Sequence, residues 1–415
     1  MQTWLLPRVD LTPEQLRVVE MLPDEHRVVL GPAGSGKTQV LIHRAAHLAE
    51  TYNVPSNGYH LFVFTNVVKE YIKSGVQFLG LPEETVCAFD HWCRLFYEDY
   101  VSVRLPKKER GRLDFDEIRS STLEVLKRRK EIRYGLEFVL VDEGQDLTPE
   151  VYEILLMIAR HITVFADFQQ KIFEDGASES CILEKMKLPR RSITLLGAYR
   201  NAPYVAHLAS HFITEEDLRK EFLVQVNTEQ KVKECPLCYV APSYDEEVDR
   251  LAEIVRQRQI MNERVGIIVS TNRLLHGLAK GLEKRGVKVE KAIKKESYAG
   301  VQVPCDFRNN DPKIATFHMA KGLTFDSVLM PRLTERAFPW AHGIARQRII
   351  FVGIARATQW VYLSTVSGVE FSEMEILREA EKEGHLVVQC EKDIEVGEEE
   401  LKEQDEEPED DFSIL

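Results

Sequence analysis

The sequence lacks the long apolar run that a membrane span requires. No segment of its 415 residues approaches the ~18 consecutive apolar residues of a transmembrane helix. The first residues also lack the order of a signal peptide, in which basic residues precede an apolar stretch. Cysteine is sparse, with seven residues and a single C-x-x-C pair, so no disulfide framework is indicated. These absences favour a cytoplasmic protein with no membrane partner.

Positive charge is not in excess either. There are 54 Lys and Arg residues against 67 Asp and Glu, a net charge of −13, but residues 391–415 alone carry 13 acidic and 2 basic side chains. The rest is nearly neutral, so local basic surfaces remain compatible with this composition. Dense like charge with few apolar groups predicts that 391–415 are disordered. This tail either solvates the chain, or imitates nucleic-acid charge and occupies a strand groove or a partner's basic pocket.

Short apolar runs rich in β-branched residues alternate with helical patterns along the chain. This alternation is typical of parallel sheets with helices on both faces. We therefore predict two similar α/β domains, at residues 1–192 and 193–390, followed by the acidic tail 391–415. The predicted strands are residues 26–30, 61–65, 138–142, 162–166, 265–269, 313–316, 327–330 and 360–364.

A glycine-rich segment supplies the strongest motif. Residues 31–38 fit G-x-x-x-x-G-K-[ST], with a predicted strand before and a helix after. Glycines let backbone N–H groups turn toward phosphate oxygens at the positive end of the helix. Lys37 is expected to reach the β- and γ-phosphates of ATP, and the Thr38 hydroxyl to ligate Mg²⁺. The other predicted phosphate-binding residues are Gly34, Ser35 and Gly36.

Two adjacent acids follow the predicted strand at 138–142. Asp142 is placed to hold Mg²⁺ through water, and Glu143 to orient or deprotonate an attacking water. Adjacent acids at a strand end are common on surfaces. Together with the phosphate loop, however, this pair indicates a nucleotide-hydrolysing site.

The segment at 142–146, Asp-Glu-Gly-Gln-Asp, resembles the D-E-x-Q-D box of superfamily 1 helicases of the UvrD/Rep type. Other segments resemble the remaining boxes of that family in the same order, so the resemblance covers roughly residues 10–366. These segments are 11–15, 64–66, 88–89, 167–173, 198–201, 316–325 and 351–357.

The resemblance implies two tandem RecA-like P-loop NTPase domains with parallel sheets and the ATP site at their interface. It also implies a role for each matching residue near the nucleotide. Gln15 would read the adenine edge and Tyr199 would stack on the base. Gln170 would sense the γ-phosphate, while Arg200 and Arg356 would reach it from the second domain.

The activity implied is that of a helicase or translocase, which hydrolyses ATP with Mg²⁺ to move 3′→5′ along single-stranded DNA. DNA is favoured over RNA because the boxes are similar to those of UvrD, and RNA stays open as an alternative. Five residues fall in boxes that face the strand in this family: Thr65, Asn66, Phe89, His318 and Lys321. For His318, an ordinary structural hydrogen bond is the competing interpretation.

The sequence departs from the family at several positions. No aromatic residue follows the 167–173 box, where the family stacks a side chain on a base. Thr324 stands where the family has Glu, and Ala355 where it has Thr. The two family insertions are reduced to about 100–137 and about 288–312.

These departures favour ATP hydrolysis and translocation over processive unwinding. They also keep a rival open: a nucleotide-driven switch or assembly ATPase that acts on a protein partner such as a nuclease or a polymerase. The Cys235-x-x-Cys238 pair has the spacing of a zinc knuckle but lacks a second pair, so a turn leading into a strand is favoured there.

Overall fold

The computed structural model describes residues 4–32, 34–63, 65–168, 177–195, 201–224, 226, 234–293 and 305–390. Within these residues, helices and strands alternate along the chain and the strands form two parallel sheets, one of six strands and one of seven. The prediction of two α/β domains built on parallel sheets is therefore confirmed. The predicted disorder of 391–415 concerns a segment outside the described residues.

The first domain is built on the sheet with the strand order β3-β2-β4-β5-β1-β6, in which every neighbouring pair is parallel. Its central strands are buried on both faces, which explains why they appear in the sequence as continuous apolar runs. The strands are β1 (Arg27–Leu30), β2 (Tyr59–Val63), β3 (Val86–Ala88), β4 (Leu136–Val141), β5 (Ala159–Ala166) and β6 (Ile193–Thr194). The helices are α1 (Pro13–Val19), α2 (Lys37–Thr51), α3 (Asn66–Val76), α4 (Phe89–Tyr100), α5 (Phe115–Arg128), α6 (Pro149–Ile158) and α7 (Glu179–Lys185).

The second domain is built on the sheet with the strand order β13-β7-β12-β11-β8-β10-β9, again parallel throughout. The strands are β7 (Leu237–Ala241), β8 (Val265–Val269), β9 (Glu290–Ala292), β10 (Lys313–Thr316), β11 (Phe325–Met330), β12 (Ala357–Val366) and β13 (Val387–Cys390). The helices are α8 (Pro203–Ser210), α9 (Glu216–Val224), α10 (Tyr244–Ile260), α11 (Asn272–Lys284), α12 (Phe317–Ala320), α13 (Ile344–Ile354) and α14 (Met374–Lys382).

The first domain extends slightly beyond the predicted boundary after residue 192. Strand β6 pairs with β1 through Val29↔Ile193 and Leu30↔Thr194, so it belongs to the first sheet. Helix α8 instead packs against β12 and α13 of the second domain. The change of domain therefore falls between residues 195 and 203. Sequence alone missed β6 because two residues are too few to show a periodicity.

The reduced insertions have different forms. The first, between α4 and β4, contains α5, which packs against α4 and α6 of its own domain. In the second, residues after β9 reach across to the first domain. The Phe307 ring lies 5.4 Å from that of Tyr71, and Arg308 Nη2 lies 3.3 Å from Glu83 Oε1. This short segment therefore contributes to the contact between the two domains.

Two further expectations concern the whole chain. Among the described residues, no helix is both long enough and apolar enough to cross a lipid bilayer. The C-x-x-C pair leads into a strand, as predicted: Cys238 is buried in β7, and the Cys235 carbonyl accepts a hydrogen bond from Trp360 Nε1 at 2.8 Å.

Candidate functional site

The phosphate loop joins β1 to α2, whose first residue is Lys37. The residue before the helix, Gly36, adopts a left-handed φ of +84°, and a Cβ atom there would lie 2.4 Å from Gln15 Nε2. Glycine is therefore favoured at this position for its backbone conformation, and a Cβ would also displace the Gln15 side-chain amide. The turn directs the N-terminus of α2 toward the loop, an arrangement that favours anions.

The polar groups of the loop fit a polyphosphate. Lys37 is almost fully buried, and its Nζ donates to the carbonyl oxygens of Gly31 and Pro32 at 2.7 and 3.0 Å. It also lies 3.6 Å from Asp167 Oδ2. The Ser35 hydroxyl is buried and has no hydrogen-bond partner among the described residues. A phosphate oxygen is an acceptor that both side chains could use.

Gln15 lies beside this loop in α1. Its Oε1 accepts from the Thr12 backbone N–H at 2.9 Å, and its Nε2 donates to the Ser35 carbonyl at 3.0 Å. The first bond belongs to a capping box that starts the helix. Gln15 therefore links the start of α1 to the phosphate loop, while its contact with adenine stays a prediction.

The two adjacent acids lie at the end of β4, on the same sheet edge as the phosphate loop. Thr38 Oγ1 donates to Asp142 Oδ2 at 3.2 Å, which brings together the two predicted Mg²⁺ ligands. Burial, followed by repulsion from Glu143, raises the pKa of Asp142 to about 7. A divalent cation would relieve that repulsion, so these residues fit the ion expected from the sequence.

Glu143 has an unusual backbone conformation, and its pKa is shifted in the opposite direction from that of Asp142. Its φ of +52° is in the left-handed region, a strain of the kind that clusters at functional sites. Gln145 Nε2 donates to its Oε2 at 2.6 Å. Burial alone would raise the pKa of Glu143, but the positive charges of Lys321, Lys37 and Arg356 outweigh it and lower the pKa. Glu143 is therefore an ionised acceptor at neutral pH.

Arg356 enters the same site from the second domain, between α13 and β12. Its side chain is buried, and its Nε donates to the Val352 carbonyl at 3.1 Å. Burial lowers the pKa of its guanidinium, and nearby carboxylates, Glu143 foremost, oppose that effect. Asn201 braces this segment, since its Nδ2 donates to the Ala357 carbonyl at 2.5 Å.

Both domains line one cleft. The first domain contributes the phosphate loop and Glu143, and the second contributes Asn201, Thr324, Ala355 and Arg356. Two sequence departures, Thr324 and Ala355, therefore lie at the candidate nucleotide site itself. The predicted nucleotide residues Gln170, Tyr199 and Arg200 lie outside the described residues.

Lys321 has a different partner from the one expected. Its ammonium is buried, and its Nζ lies 2.8 and 2.7 Å from the two carboxylate oxygens of Asp146. Its contact with a nucleic-acid strand stays a prediction. The pair joins the last residue of the Asp-Glu-Gly-Gln-Asp segment to the second domain. Burial raises the pKa of Asp146 to about 6, although Lys321 opposes this.

The other residues predicted to contact a nucleic-acid strand lie partly at the surface and partly in the core. The Thr65 hydroxyl caps α3 by accepting from Val68 N–H at 3.1 Å, and Asn66 beside it is exposed. Phe89, by contrast, is buried and packs edge-on against Phe62 at 5.4 Å. The ring therefore belongs to the core of the first domain in this structure, and its contact with nucleic acid stays a prediction.

His318 lies in α12, just after the end of β10, next to an aromatic residue that was not among those expected from the sequence. The Trp340 ring is 4.9 Å from the His318 ring in a T-shaped arrangement, and Trp340 is 42% exposed. This pair is hard to anticipate from sequence because 21 residues separate its members along the chain. Asp146 and Asn201 were also missed as bracing residues, although both lie inside recognised boxes.

Comparisons with known proteins agree with this geometry. The family model of the UvrD/REP helicase N-terminal domain matches residues 11–96 and 89–188. The family model of the UvrD-like helicase C-terminal domain matches residues 304–368. Together they cover more than half of the chain, including the phosphate loop, the Asp142–Asp146 segment and Arg356.

Two curated relatives are named as DNA helicases. The chain is 25% identical over 270 residues to YjcD of Bacillus subtilis, named as an ATP-dependent DNA helicase; the match covers 45% of this chain and 35% of that protein. It is 25% identical over 283 residues to a DNA helicase of Mycoplasma pneumoniae, covering 62% of this chain and 50% of that protein. The chain thus spans half or less of the length of these relatives.

A solved structure, the C-terminal domain of a DNA helicase from Lactobacillus plantarum WCFS1, is similar over 46% of this chain and 98% of that one. Its identity is 16% and its TM-score 0.34, a likeness too weak to inform the fold. The two family matches include the phosphate loop, Glu143 and Arg356, which line the cleft. The chain therefore belongs to the UvrD/Rep family of helicases.

Proposed function

We propose that this chain hydrolyses ATP with Mg²⁺ and uses the energy to move 3′→5′ along single-stranded DNA. One observation carries the proposal: Lys37, Thr38 and Glu143 of the first domain line one cleft with Arg356 of the second, and Asp142 is hydrogen-bonded to Thr38. Family membership and the names of the two relatives support it.

The charged and polar residues of the cleft have different roles in hydrolysis. Bound ATP and Mg²⁺ would supply the phosphoryl group and the cation that neutralises it. Lys37 would exchange its carbonyl partners for phosphate oxygens, and Thr38 with Asp142 would hold the metal. Glu143, ionised and fixed by Gln145, accepts a proton from water. Arg356 stabilises charge that develops on the phosphate oxygens.

Movement requires the cleft to be linked to the strand. Thr65 and Asn66 follow β2, and His318 follows β10, so these residues lie at the carboxyl ends of strands in both domains. A Cβ at Gly322 would lie 3.0 Å from Val68 Cγ2, so the segment after His318 rests on the start of α3. Closing the domains around ATP therefore moves both groups of strand residues together.

The rival function is a nucleotide-driven switch that acts on a protein partner through the same cleft, without a strand. The burial of Phe89 and Lys321 favours it, because both were expected to contact nucleic acid. The exposed Asn66 and Trp340 favour the motor, because they leave polar and aromatic side chains available to a strand.

The first experiment measures ATP hydrolysis with and without poly-dT, at two salt concentrations. The motor predicts strong stimulation that weakens as salt rises, since phosphate contacts release counterions. Poly-U in place of poly-dT tests DNA against RNA. A Lys37→Ala protein should lose about 10²-fold or more of its turnover, as expected for removal of a phosphate-stabilising cation. Slow hydrolysis that no strand alters would favour the switch.

Polarity needs a separate measurement. Streptavidin bound to a biotin at the 3′ or the 5′ end of single-stranded DNA is displaced by a translocase that runs toward that end. Movement 3′→5′ predicts ATP-dependent displacement from the 5′ end only. Displacement from the 3′ end only would reverse the proposed direction without affecting the proposed ATP hydrolysis.

A further inference from the structure

Four side chains that commonly bind metals converge on the second domain, away from the nucleotide cleft. His207 lies in α8 and His211 follows its end, one helical turn later. Glu383 and His385 flank Gly384 in the turn between α14 and β13. The turn is fixed by the left-handed φ of +75° at Gly384, so both flanking side chains face α8.

Three ligand atoms form a nearly equilateral triangle. His211 Nε2 lies 3.1 Å from His385 Nδ1 and 3.4 Å from Glu383 Oε2, and His385 Nδ1 lies 3.6 Å from Glu383 Oε2. In a tetrahedral zinc site, metal–ligand bonds of about 2.0–2.2 Å place neighbouring ligand atoms about 3.3–3.6 Å apart. The three separations are close to that spacing, so an ion fits with little movement of the side chains.

The surroundings hold the rings in place and leave an approach for an ion. The His207 ring stacks on the His385 ring, with centroids 4.5 Å apart and planes 11° from parallel. The His211 side chain is 2% exposed, whereas that of Glu383 is 53% exposed. Two fixed imidazoles with a carboxylate on the solvent side are a ligand set typical of zinc, with water as the fourth ligand.

We propose that His211, Glu383 and His385 bind a divalent transition-metal ion, for which zinc is the best match. The bound ion links the turn between α14 and β13 to the end of α8. Because these ligands are 174 residues apart along the chain, the bond closes a long loop and stabilises the second domain. This site is independent of ATP hydrolysis.

The competing interpretation is a hydrogen-bond network without metal. Arg219 Nη2 lies 3.4 Å from His211 Nδ1 and 3.8 Å from Glu383 Oε2. When His211 binds a metal through Nε2, its Nδ1 carries a proton, which a guanidinium cannot accept. Arg219 must then turn toward Glu383. Glutamine at position 219 would offer an oxygen acceptor to that proton, so Arg219→Gln separates the two interpretations.

The test uses the full chain without a histidine tag, stripped of metal by a chelator. Titration with Co²⁺ should give the visible absorption bands of a tetrahedral site at one equivalent, and Zn²⁺ should abolish them by competition. Zn²⁺ should also raise the thermal unfolding temperature. Glu383→Gln and His385→Ala should each weaken metal binding by about 10-fold or more, the scale of losses at metal sites. His276→Ala, which removes an exposed histidine on α11, is the matched control and should bind as the unmodified chain does.

The Arg219→Gln variant distinguishes a bound metal ion from a hydrogen-bond network without metal. The proposal expects unchanged or tighter metal binding, because a cation next to the ion is removed and its replacement accepts the His211 proton. The network expects a lower unfolding temperature that Zn²⁺ does not restore. That result, or cobalt spectra that are the same for the unmodified chain, Glu383→Gln and His385→Ala, would overturn the proposal.

Discussion

At the scale of single residues, the most informative feature is the contrast between two neighbouring carboxylates. Asp142 has its pKa raised to about 7 by burial and by Glu143, whereas three cations lower the pKa of Glu143 itself. Environments that push the pKa values of paired acids apart commonly assign them different tasks. The ionised Glu143 is suited to accept a proton, and Asp142 is suited to a metal whose charge replaces its own proton.

The role of Glu143 leads to a direct prediction. Glu143→Gln keeps the shape and a polar end but removes the proton acceptor, so ATP hydrolysis should fall by about 10²–10⁴-fold. ATP affinity, measured by equilibrium binding, should change little. Glu137→Gln is the matched control, because Glu137 lies on the same strand with its side chain exposed. Hydrolysis that survives in Glu143→Gln would remove this residue from the proposed mechanism.

Asp142 predicts how stability depends on pH in the absence of ligands. The pKa of its carboxyl is about 7 in the fold, whereas an ordinary aspartate, as in the unfolded chain, has a pKa of 3.8. The folded state thus holds the proton more tightly, and its stability falls as pH rises between these values. Asp142→Asn removes this loss, so its unfolding temperature should increase relative to the unmodified chain as pH rises from about 4 to about 7. Asp245→Asn, at an exposed side chain, is the control. Parallel curves for all three proteins would contradict the shifted pKa.

At the scale of elements, the sequence predicts strands well where burial is complete. Strands β1, β4, β5 and β8 appear as apolar runs because both of their faces are covered. Strand β13 does not, because it lies at the sheet edge with its side chains partly exposed. The phosphate loop and the two acids are predictable because each follows such a run directly.

Contacts between distant segments are the part that sequence could not supply. Lys321 was expected to contact a nucleic-acid strand, yet its charge is neutralised by Asp146, which lies 175 residues earlier in the chain. Phe89 lies in a helicase box, yet its ring is buried in the core of the first domain. The histidine and glutamate cluster likewise depends on α14 returning to α8. The order of the boxes in the sequence shows which residues form one site, whereas packing in the fold decides which atoms each residue contacts.

Trp340 lies in the loop that follows β11. Trp340 is exposed beside His318, and base stacking on an aromatic side chain contributes about 1–3 kcal/mol. Trp340→Ala should therefore weaken poly-dT binding by about 5- to 150-fold. Hydrolysis without DNA should stay unchanged. Tyr52→Ala is the control, since this exposed aromatic follows the far end of α2. Equal poly-dT affinity in both variants would exclude Trp340 from the strand path.

At the scale of the whole molecule, the buried pair of Lys321 and Asp146 is a charged link between the two halves of the site. Asp146 follows Glu143 by three residues, and Lys321 follows His318 by three. We therefore expect a shift in the nucleotide cleft to be transmitted through this salt bridge to the segment around His318. Breaking a buried pair by removing one partner costs about 3–5 kcal/mol, since the other charge stays buried.

This link predicts non-additive effects of substitution. Lys321→Met and Asp146→Asn should each reduce the stimulation of ATP hydrolysis by poly-dT, and the double variant should lose no more than either one alone. The unfolding free energy should follow the same pattern, because the double variant leaves no unpaired charge. A direct contact of Lys321 with DNA predicts otherwise: Lys321→Met would weaken poly-dT binding, whereas Asp146→Asn would strengthen it by releasing the ammonium. Poly-dT affinity of the two single variants, measured at one salt concentration, therefore distinguishes a coupling contact from a strand contact.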